Sequence, residues 1–301
     1  VARRGEERLL VRARREIVLA AGTIETPLIL ERSGIGDPSV LAAAGIVPEV
    51  DSPRVGSGVL EHRSITVHAR LRPGLGLNEA LGSASGRARA VASYGLTRSG
   101  PLAAGPFHLV GQLRSSPGEP RPDIAVLVSP MSTDPGSTSL RLAGHPGMML
   151  TGYQLRPTTA SSVHVRAADP ESPPLINAHY LDTDLDRLVT GRVLERLRDL
   201  LDRQPLRALV VAEEAPGGDV RSSDDAVQYA LQTGTGVYHA VGSCAMGPEP
   251  HDVVDAELRV RGVSGLRIAD ASVFPAIPSA NTAAPAMMLG WQAATLLRDV
   301  G

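Results

Sequence analysis

Three stretches near the carboxyl end of the chain decide how it folds. Residues 238–247 read Tyr-His-Ala-Val-Gly-Ser-Cys-Ala-Met-Gly, residues 266–272 read Leu-Arg-Ile-Ala-Asp-Ala-Ser, and residues 278–282 read Pro-Ser-Ala-Asn-Thr. The first places a histidine beside a Gly-Ser turn. The second has the form of a short strand that ends in an acidic residue, and the third precedes a helical pattern. A strand that ends in Asp followed by a small residue lets the backbone approach a bound group closely.

The composition of the chain is that of a globular protein. Its 301 residues suffice for one large or two ordinary domains, and 43% of them are hydrophobic. The formal net charge of −2 gives no reason to expect a nucleic-acid or anionic-membrane partner, and no apolar run reaches the roughly 18 residues of a membrane span. The single Cys244 excludes an internal disulfide and a cysteine-based metal site, and we expect no metal.

The first residues of the chain do not resemble an export signal. They read Val-Ala-Arg-Arg-Gly-Glu-Glu-Arg, and no apolar stretch follows these charges. We therefore expect a cytoplasmic protein. Because the chain also begins without Met, we expect it to be part of something longer.

The motifs in these stretches resemble a known family. Tyr-His-x-x-Gly-Ser-x-x-Met-Gly, followed by Val-Val-Asp at 253–255 and by Leu-Arg-Ile-x-Asp-Ala-Ser, is similar to the carboxyl-terminal block of the glucose-methanol-choline (GMC) family of FAD-dependent alcohol oxidoreductases. Residues 21–36 resemble the second signature of that family. Residues 55–62 resemble its Val-Gly-x-x-Leu-x-Asp-His loop, with one extra position and with Glu61 in place of Asp. Shorter matches extend the resemblance over nearly the whole chain, at 98–102, 122–124 and 174–180.

The resemblance implies roles for two polar residues. His239 stands where the family has its catalytic base, and a histidine suits that task because its unperturbed pKa lies near neutrality. Asn281 stands where the family has the residue that hydrogen-bonds the substrate oxygen, which an amide can do without titrating. Without the resemblance, a histidine beside a turn is more often structural, and Asn281 would be a helix N-cap.

The resemblance also implies that FAD is the cofactor. The start of the final helix, with Pro285 at its first position, would favour the negative charge that a reduced flavin carries around N1 and the C2 carbonyl. Asp270 and Ala271 would lie at the ribityl-phosphate region of FAD. The residues expected to bind the cofactor are Ala21, Gly22, Tyr238, Asp270, Ala271, Asn281 and Thr282.

Local patterns predict the elements of secondary structure. We expect strands at 16–21, 63–72, 124–128, 148–155, 162–165 and 266–269, and helices at 24–33, 41–45, 87–98, 183–202, 224–231 and 285–297. The helix at 183–202 is expected to bury one face, formed by Leu185, Leu188, Val189, Val193, Leu197, Leu200 and Leu201. Residues 99–122 are rich in Gly, Pro and Ser and form either an ordered lid or a disordered loop.

These elements predict an α/β (α+β) fold with two parts. An incomplete FAD-binding Rossmann-like domain is formed by residues 1–62 and 230–301, and an antiparallel-sheet substrate domain, residues 63–229, is inserted in it. A complete GMC enzyme begins with a strand, a Gly-x-Gly-x-x-Gly turn and a helix that bind the ADP half of FAD. Here Gly74-Leu-Gly76 has only two of these glycines, follows a proline and opens no obvious helical pattern, so the chain resembles the carboxyl-terminal half or two-thirds of such an enzyme.

Three functions compete. The first is oxidation of a small-molecule alcohol to a carbonyl, with His239 as base and hydride transfer to flavin N5. The second is a truncated, non-catalytic fragment of such an enzyme that cannot bind FAD alone. The third is a hydrolase built on Ser243 or Ser272, which has little support because the chain lacks a Gly-x-Ser-x-Gly elbow.

Overall fold

The structure is a computed structural model that describes residues 2–4, 7–135 and 141–298. The strands are β1 (Ala2–Arg4), β2 (Glu7–Leu9), β3 (Ile17–Leu19), β4 (Ile35–Gly36), β5 (Val50–Asp51), β6 (Ser57–Val59), β7 (Ser64–Leu71), β8 (Leu109–Leu113), β9 (Ile124–Ser129), β10 (Gly147–Gln154), β11 (Ser161–His164), β12 (Leu175–Asn177), β13 (Val210–Ala215) and β14 (Leu266–Ile268). The helices are α1 (Gly22–Arg32), α2 (Pro38–Ala43), α3 (Asn78–Gly82), α4 (Ala84–Thr97), α5 (Asp184–Leu201), α6 (Ser223–Thr233) and α7 (Ala283–Arg298). The predicted mixture of helices with an antiparallel sheet is confirmed.

The chain divides into two compact units. The first unit comprises the chain up to Glu61, residues Ala160–His179 and the chain from His239 onward. The second comprises His62–Thr159 and Tyr180–Tyr238. The sequence placed 160–179 in the insertion, but these residues belong to the first unit because β11 forms a sheet with β6 and β12 in the order β12-β11-β6.

The first unit also contains two short parallel strand pairs. Strand β3 pairs with β14, with Leu19 opposite Ile268, and β4 pairs with β5. The two strands β3 and β14 therefore end side by side, shortly before Ala21 and Asp270. The core of this unit is formed by Leu30, Ile35, Val55, Cys244, Val253, Val254, Leu258, Val260, Ile268, Val273, Leu289 and Ala293.

The second unit is built on an antiparallel sheet in the order β13-β7-β10-β9-β8. The apolar face of the strand predicted at 63–72 is confirmed in β7, where Ile65, Val67, Ala69 and Leu71 are all buried, but His68 on the other face is buried as well. Strand β8 pairs with β9 along residues 109–113, so part of the Gly/Pro/Ser-rich stretch is an edge strand of the sheet.

Helix α5 contributes much of the core of the second unit. The hydroxyl of Thr183 accepts the Asp186 N–H at its start, which is an N-cap. The predicted buried face was wrong in part, because Leu185 and Leu188 are exposed. Leu194, which the prediction did not include, is buried, with 3% of its surface accessible. Leu188 precedes Leu197 by about two and a half turns, which places it on the opposite side of the helix.

Five helices begin earlier than predicted: α2 and α4 by three residues, α1 and α7 by two, and α6 by one. Helix α1 begins at Gly22, so Pro27 lies in its second turn and not in its first. Helix α7 begins at Ala283, so Pro285 is its third residue, still within the first turn where an N–H has no helical partner. None of the described helices is long and apolar enough to cross a membrane.

Candidate active site

His239 lies in a loop that is bound to the segment at Leu60 and Glu61. Leu60 and Val241 form an antiparallel bridge in which each N–H donates to the other's carbonyl at 3.0 Å. The Glu61 carboxylate accepts the backbone N–H of His239, at 2.9 Å to one oxygen and 3.0 Å to the other. Both contacts lie within the first unit, and together they fix the position of the backbone at His239.

The imidazole of His239 is buried, and burial lowers its pKa below the ordinary value of 6.5. Removing a group from water disfavours its charged form, so the ring is neutral at neutral pH. A neutral imidazole carries a lone pair on one ring nitrogen and can accept a proton there. The side chain thus has the protonation state that a general base requires.

The first turn of α1 holds the other side of the same loop. The Thr23 hydroxyl donates to the Ala240 carbonyl at 2.7 Å, and the Ser243 hydroxyl donates to the Thr23 carbonyl at 2.7 Å. In a regular helix that carbonyl would accept the N–H of residue 27, but Pro27 has none. The Ser243 hydroxyl therefore replaces a missing helical hydrogen bond, which explains the need for a hydroxyl residue in the Gly-Ser turn.

Asp270 connects the ends of the two parallel strands. One oxygen of its carboxylate accepts the Gly22 N–H at 3.0 Å and the Thr26 hydroxyl at 2.6 Å, and the other accepts the Ser272 N–H at 2.8 Å. The carboxylate is therefore used to hold backbone in place. If Asp270 and Ala271 contact a cofactor, the backbone of this turn is the part that Asp270 positions for it.

The backbone at Gly22 is open on one side. Gly22 has a φ of 86°, and a Cβ placed on it would meet no atom within 4 Å. It lies beyond the carboxyl end of β3, where open parallel sheets bind their ligands. The N–H groups of this turn are already bound, that of Ala21 to the Thr26 hydroxyl and that of Gly22 to Asp270. What the turn offers to a ligand is free space for close approach.

Asn281 and Thr282 lie at the amino end of α7. The Ala286 N–H donates to the Thr282 carbonyl at 2.9 Å, so Thr282, and not Asn281, occupies the N-cap position. Asn281 is exposed, and among the described residues its side chain has no hydrogen-bond partner. Its amide is free to meet a ligand. The positive end of the helix dipole favours negative charge at the same place.

Of the predicted site residues, the structure joins Gly22 to Asp270 by a hydrogen bond and places Ala21, Ala271, Asn281 and Thr282 in the same unit as His239. Tyr238 is almost fully exposed and has a φ of 62°, a left-handed conformation that is uncommon for a residue other than glycine. Sequence patterns alone assigned no role to Glu61, Thr23 or the Ser243 hydroxyl. The sequence signal in this loop was Glu61 itself, which stands where the family motif has Asp.

A large cavity of the first unit lies elsewhere. It has a volume of about 1070 Å³ and is lined by Arg15, Glu16, Arg261, Gly265 and neighbouring residues at the amino ends of β3 and β14. Gly22 and Asp270, by contrast, follow the carboxyl ends of these strands. We assign the site by its chemistry and not by cavity size.

Cys244 is not a candidate nucleophile. It is fully buried in the core of the first unit, and burial raises the pKa of its thiol to about 12. A thiol with such a pKa is protonated under physiological conditions and unreactive.

Comparison with known proteins identifies the family. A family model described as GMC oxidoreductase matches residues 157–290, and a second model of the same description matches residues 1–64. The chain belongs to the GMC oxidoreductase family. Proteins of this family, such as formate oxidase, are FAD-binding flavoproteins.

Individual relatives agree with this placement. An uncharacterised GMC-type oxidoreductase of Mycobacterium bovis is 34% identical over 296 residues, which are 96% of this chain and 54% of that protein. An oxygen-dependent choline dehydrogenase of Brucella anthropi is 31% identical over 290 residues, covering 94% of this chain and 51% of that protein. A formate oxidase structure from Aspergillus oryzae has a TM-score of 0.85 at 26% identity and covers 95% of this chain and 54% of its own. The chain spans about half the length of the relatives that it matches.

Proposed function

We propose that the chain carries the catalytic base of an FAD-dependent enzyme that oxidises an alcohol to a carbonyl. The observation that supports this proposal most directly is the state of His239. Its ring is buried with a lowered pKa, and its backbone is held by Glu61 and by the Leu60–Val241 bridge. A fixed, neutral imidazole in a GMC motif is suited to remove the proton of a hydroxyl group.

The residues of the first unit fit FAD at the carboxyl ends of β3 and β14. The open backbone at Gly22 would accommodate close approach of the ribityl-phosphate region, together with Ala21, Asp270 and Ala271. Asn281, Thr282 and the start of α7 would lie at the flavin ring. When bound, FAD supplies the hydride acceptor, its N5 atom.

The roles of the two polar side chains follow from their chemistry. His239 takes the proton of the substrate hydroxyl as the hydride leaves the carbon, and the imidazolium that forms holds that proton. Asn281 donates an amide N–H to the substrate oxygen and does not titrate. Burial of His239 would keep water from competing for the ring nitrogen.

We propose a neutral, non-quaternary alcohol as the substrate. Quaternary ammonium groups are commonly bound by aromatic faces, and this chain has one Trp, two Phe and five Tyr. Because a choline dehydrogenase is among the relatives, choline is the substrate against which neutral alcohols should be compared. Steady-state kcat/KM should be higher for at least one neutral aliphatic alcohol than for choline in a broad panel. The highest kcat/KM for choline would contradict the substrate proposal.

A second candidate is that the chain by itself is not catalytic. Several apolar side chains of the first unit are exposed on β3 and α7, namely Ile17, Val18, Met287, Met288 and Trp291. Exposed apolar surface of this kind is typical of an interface. In that case FAD would be held only when a further segment covers these residues.

Replacement of His239 tests the main proposal. In the FAD-loaded enzyme that contains these residues, His239→Ala should lower kcat by on the order of a hundredfold while the flavin absorbance stays unchanged. The exposed His251 belongs to the same unit, and His251→Ala is the matched control with unchanged kcat. A His239→Ala enzyme with full flavin content and near-normal turnover would disprove the assignment of the base.

A further inference from the structure

We propose that Glu61 is a positioning residue for His239, acting on its backbone through the paired contact of the carboxylate with the His239 N–H. This inference rests on the proposed function, because it concerns the base of that reaction. The two oxygens lie 2.9 and 3.0 Å from the donor nitrogen, and 178 positions separate the two residues in the chain. A hydrogen bond to a charged acceptor is stronger than one between neutral groups.

The local backbone explains why this N–H needs a side-chain acceptor. Tyr238, with a φ of 62°, turns the chain directly before His239. The regular antiparallel contact begins only two residues later, at Val241, which exchanges both hydrogen bonds with Leu60. The His239 N–H therefore falls outside this bridge, and a partly buried N–H without an acceptor is unfavourable. Glu61 directly follows Leu60 and brings its carboxylate to that N–H.

The same contact determines where the imidazole lies. The Cα of His239 is held from one side by Glu61 and from the other by the Ala240 carbonyl, which accepts the Thr23 hydroxyl. The ring has only two rotatable bonds beyond this Cα. A shift of the backbone at His239 by a fraction of an ångström therefore moves the basic nitrogen by a similar amount. Misplacement of a catalytic group by about 1 Å can cost up to a hundredfold in rate.

Kinetics of two variants test the role. In the FAD-loaded enzyme, Glu61→Ala should lower kcat by about tenfold or more, with KM changed by less than about threefold and flavin content unchanged. Glu61→Gln retains one neutral acceptor oxygen and should recover most of the lost kcat. Glu49→Ala removes an exposed glutamate of the same unit and should leave kcat unchanged. In a His239→Ala background, Glu61→Ala should cause no further loss, because the residue acts through His239.

A spectroscopic measurement is independent of activity. In histidine-selective ¹⁵N-labelled protein, the His239 backbone amide signal can be assigned by its loss in His239→Ala. We expect this amide proton to move upfield in Glu61→Gln, where a neutral oxygen replaces the carboxylate, and to exchange faster with solvent in Glu61→Ala. If Glu61→Ala does not fold, Glu61→Gln decides, because an unmoved His239 amide signal there would overturn the inference.

The outcomes separate the inference from the proposed function. If His239→Ala keeps its activity, the proposed function is wrong whatever Glu61 does. If His239→Ala loses activity but Glu61→Ala keeps normal kcat and an unmoved amide signal, only the positioning role is wrong. A loss of kcat in Glu61→Ala that persists undiminished in the His239→Ala background would also overturn it, because Glu61 would then act by another route.

Discussion

The two units of the chain differ in how completely they cover their strands. In the second unit the central strands β7, β9 and β10 are buried, and helix α5 packs Val193 and Leu197 against them. In the first unit the parallel strand β3 leaves Ile17 half exposed, and α7 leaves Met287 and Trp291 exposed by 71% and 75%. Parallel strands are normally covered on both faces. Apolar side chains of the second unit are exposed too, but on helix α4 and on the edge strands β8 and β13, as with Leu96, Leu109 and Val211. The first unit differs because it leaves open a parallel strand, an element that is normally covered.

The strongest test of this comparison is whether the chain by itself binds FAD and oxidises an alcohol. Purified alone, residues 1–301 should bind no FAD tightly and oxidise no alcohol. The Gly-x-Gly-x-x-Gly turn that offsets the charge of the FAD pyrophosphate does not occur in the chain, and the open face of the first unit favours association. Flavin absorbance after gel filtration measures the outcome, with a full-length GMC relative as the positive control. A yellow, active preparation of this chain would contradict the prediction.

The packing of the second unit predicts the next largest effect. Leu197→Ala removes a fully buried side chain of α5 and should lower the free energy of unfolding by about 3 kcal/mol. Leu188→Ala, on the exposed side of the same helix, is the matched control and should change it by less than about 0.5 kcal/mol. Urea unfolding measures both. Similar losses for the two variants would mean that α5 does not bury the face described here.

The turn after β14, which contains Asp270, predicts a smaller loss of unfolding free energy. Asp270→Ala leaves the Gly22 and Ser272 N–H groups without their acceptor and should cost about 2 kcal/mol of unfolding free energy. In the FAD-loaded enzyme it should also weaken flavin binding, because the Gly22 backbone loses its anchor. Asp270→Asn keeps one acceptor oxygen and should lose less. Flavin affinity unaffected by Asp270→Ala would separate this turn from the cofactor site.

Two of the buried histidines, His239 and His68, predict a difference in pH dependence. Burial lowers the pKa of both His239, in the first unit, and His68, in the second, where its Nδ1 lies 3.1 Å from the Ser132 hydroxyl. Because His239 must be unprotonated to act, kcat/KM should stay level as pH falls through 6.5 and decline only below it, by about tenfold per pH unit. His68→Phe should leave this acidic limb unmoved. If the acidic limb of the pH profile moves in His68→Phe, or if it lies above pH 6.5, the group that titrates is not His239.

The pH dependence of stability has the same direction for His239. Its folded-state pKa is depressed, so the neutral ring stabilises the fold above the unfolded-state pKa of about 6.5. This contribution is lost as pH falls through the lower folded-state pKa. The difference between the urea midpoints of wild type and His239→Ala should therefore shrink as pH falls through that pKa. A difference that grows there would contradict the burial of the ring.

Local sequence patterns were sufficient for much of the fold. The strands β7, β9, β10 and β11 and the helices α5 and α6 lie within one or two residues of their predicted bounds, because alternation and helical periodicity report directly which face is buried. The GMC motifs around His239 gave the family, which the comparisons confirmed. The buried face of α5 was less accurate, since a run of leucines does not show which of them face the sheet.

The sequence by itself thus determined the family, the motif that contains His239 and most of the elements. Only the tertiary structure decided which residues meet: Glu61 and His239 are 178 positions apart, Thr23 and Ser243 are 220 apart, and Gly22 and Asp270 are 248 apart. It also decided that residues 160–179 belong to the unit of His239 and that Pro27 leaves a carbonyl for Ser243. The physical reason is that periodicity reflects burial of a face, whereas a hydrogen bond between distant segments depends on where the chain returns in space.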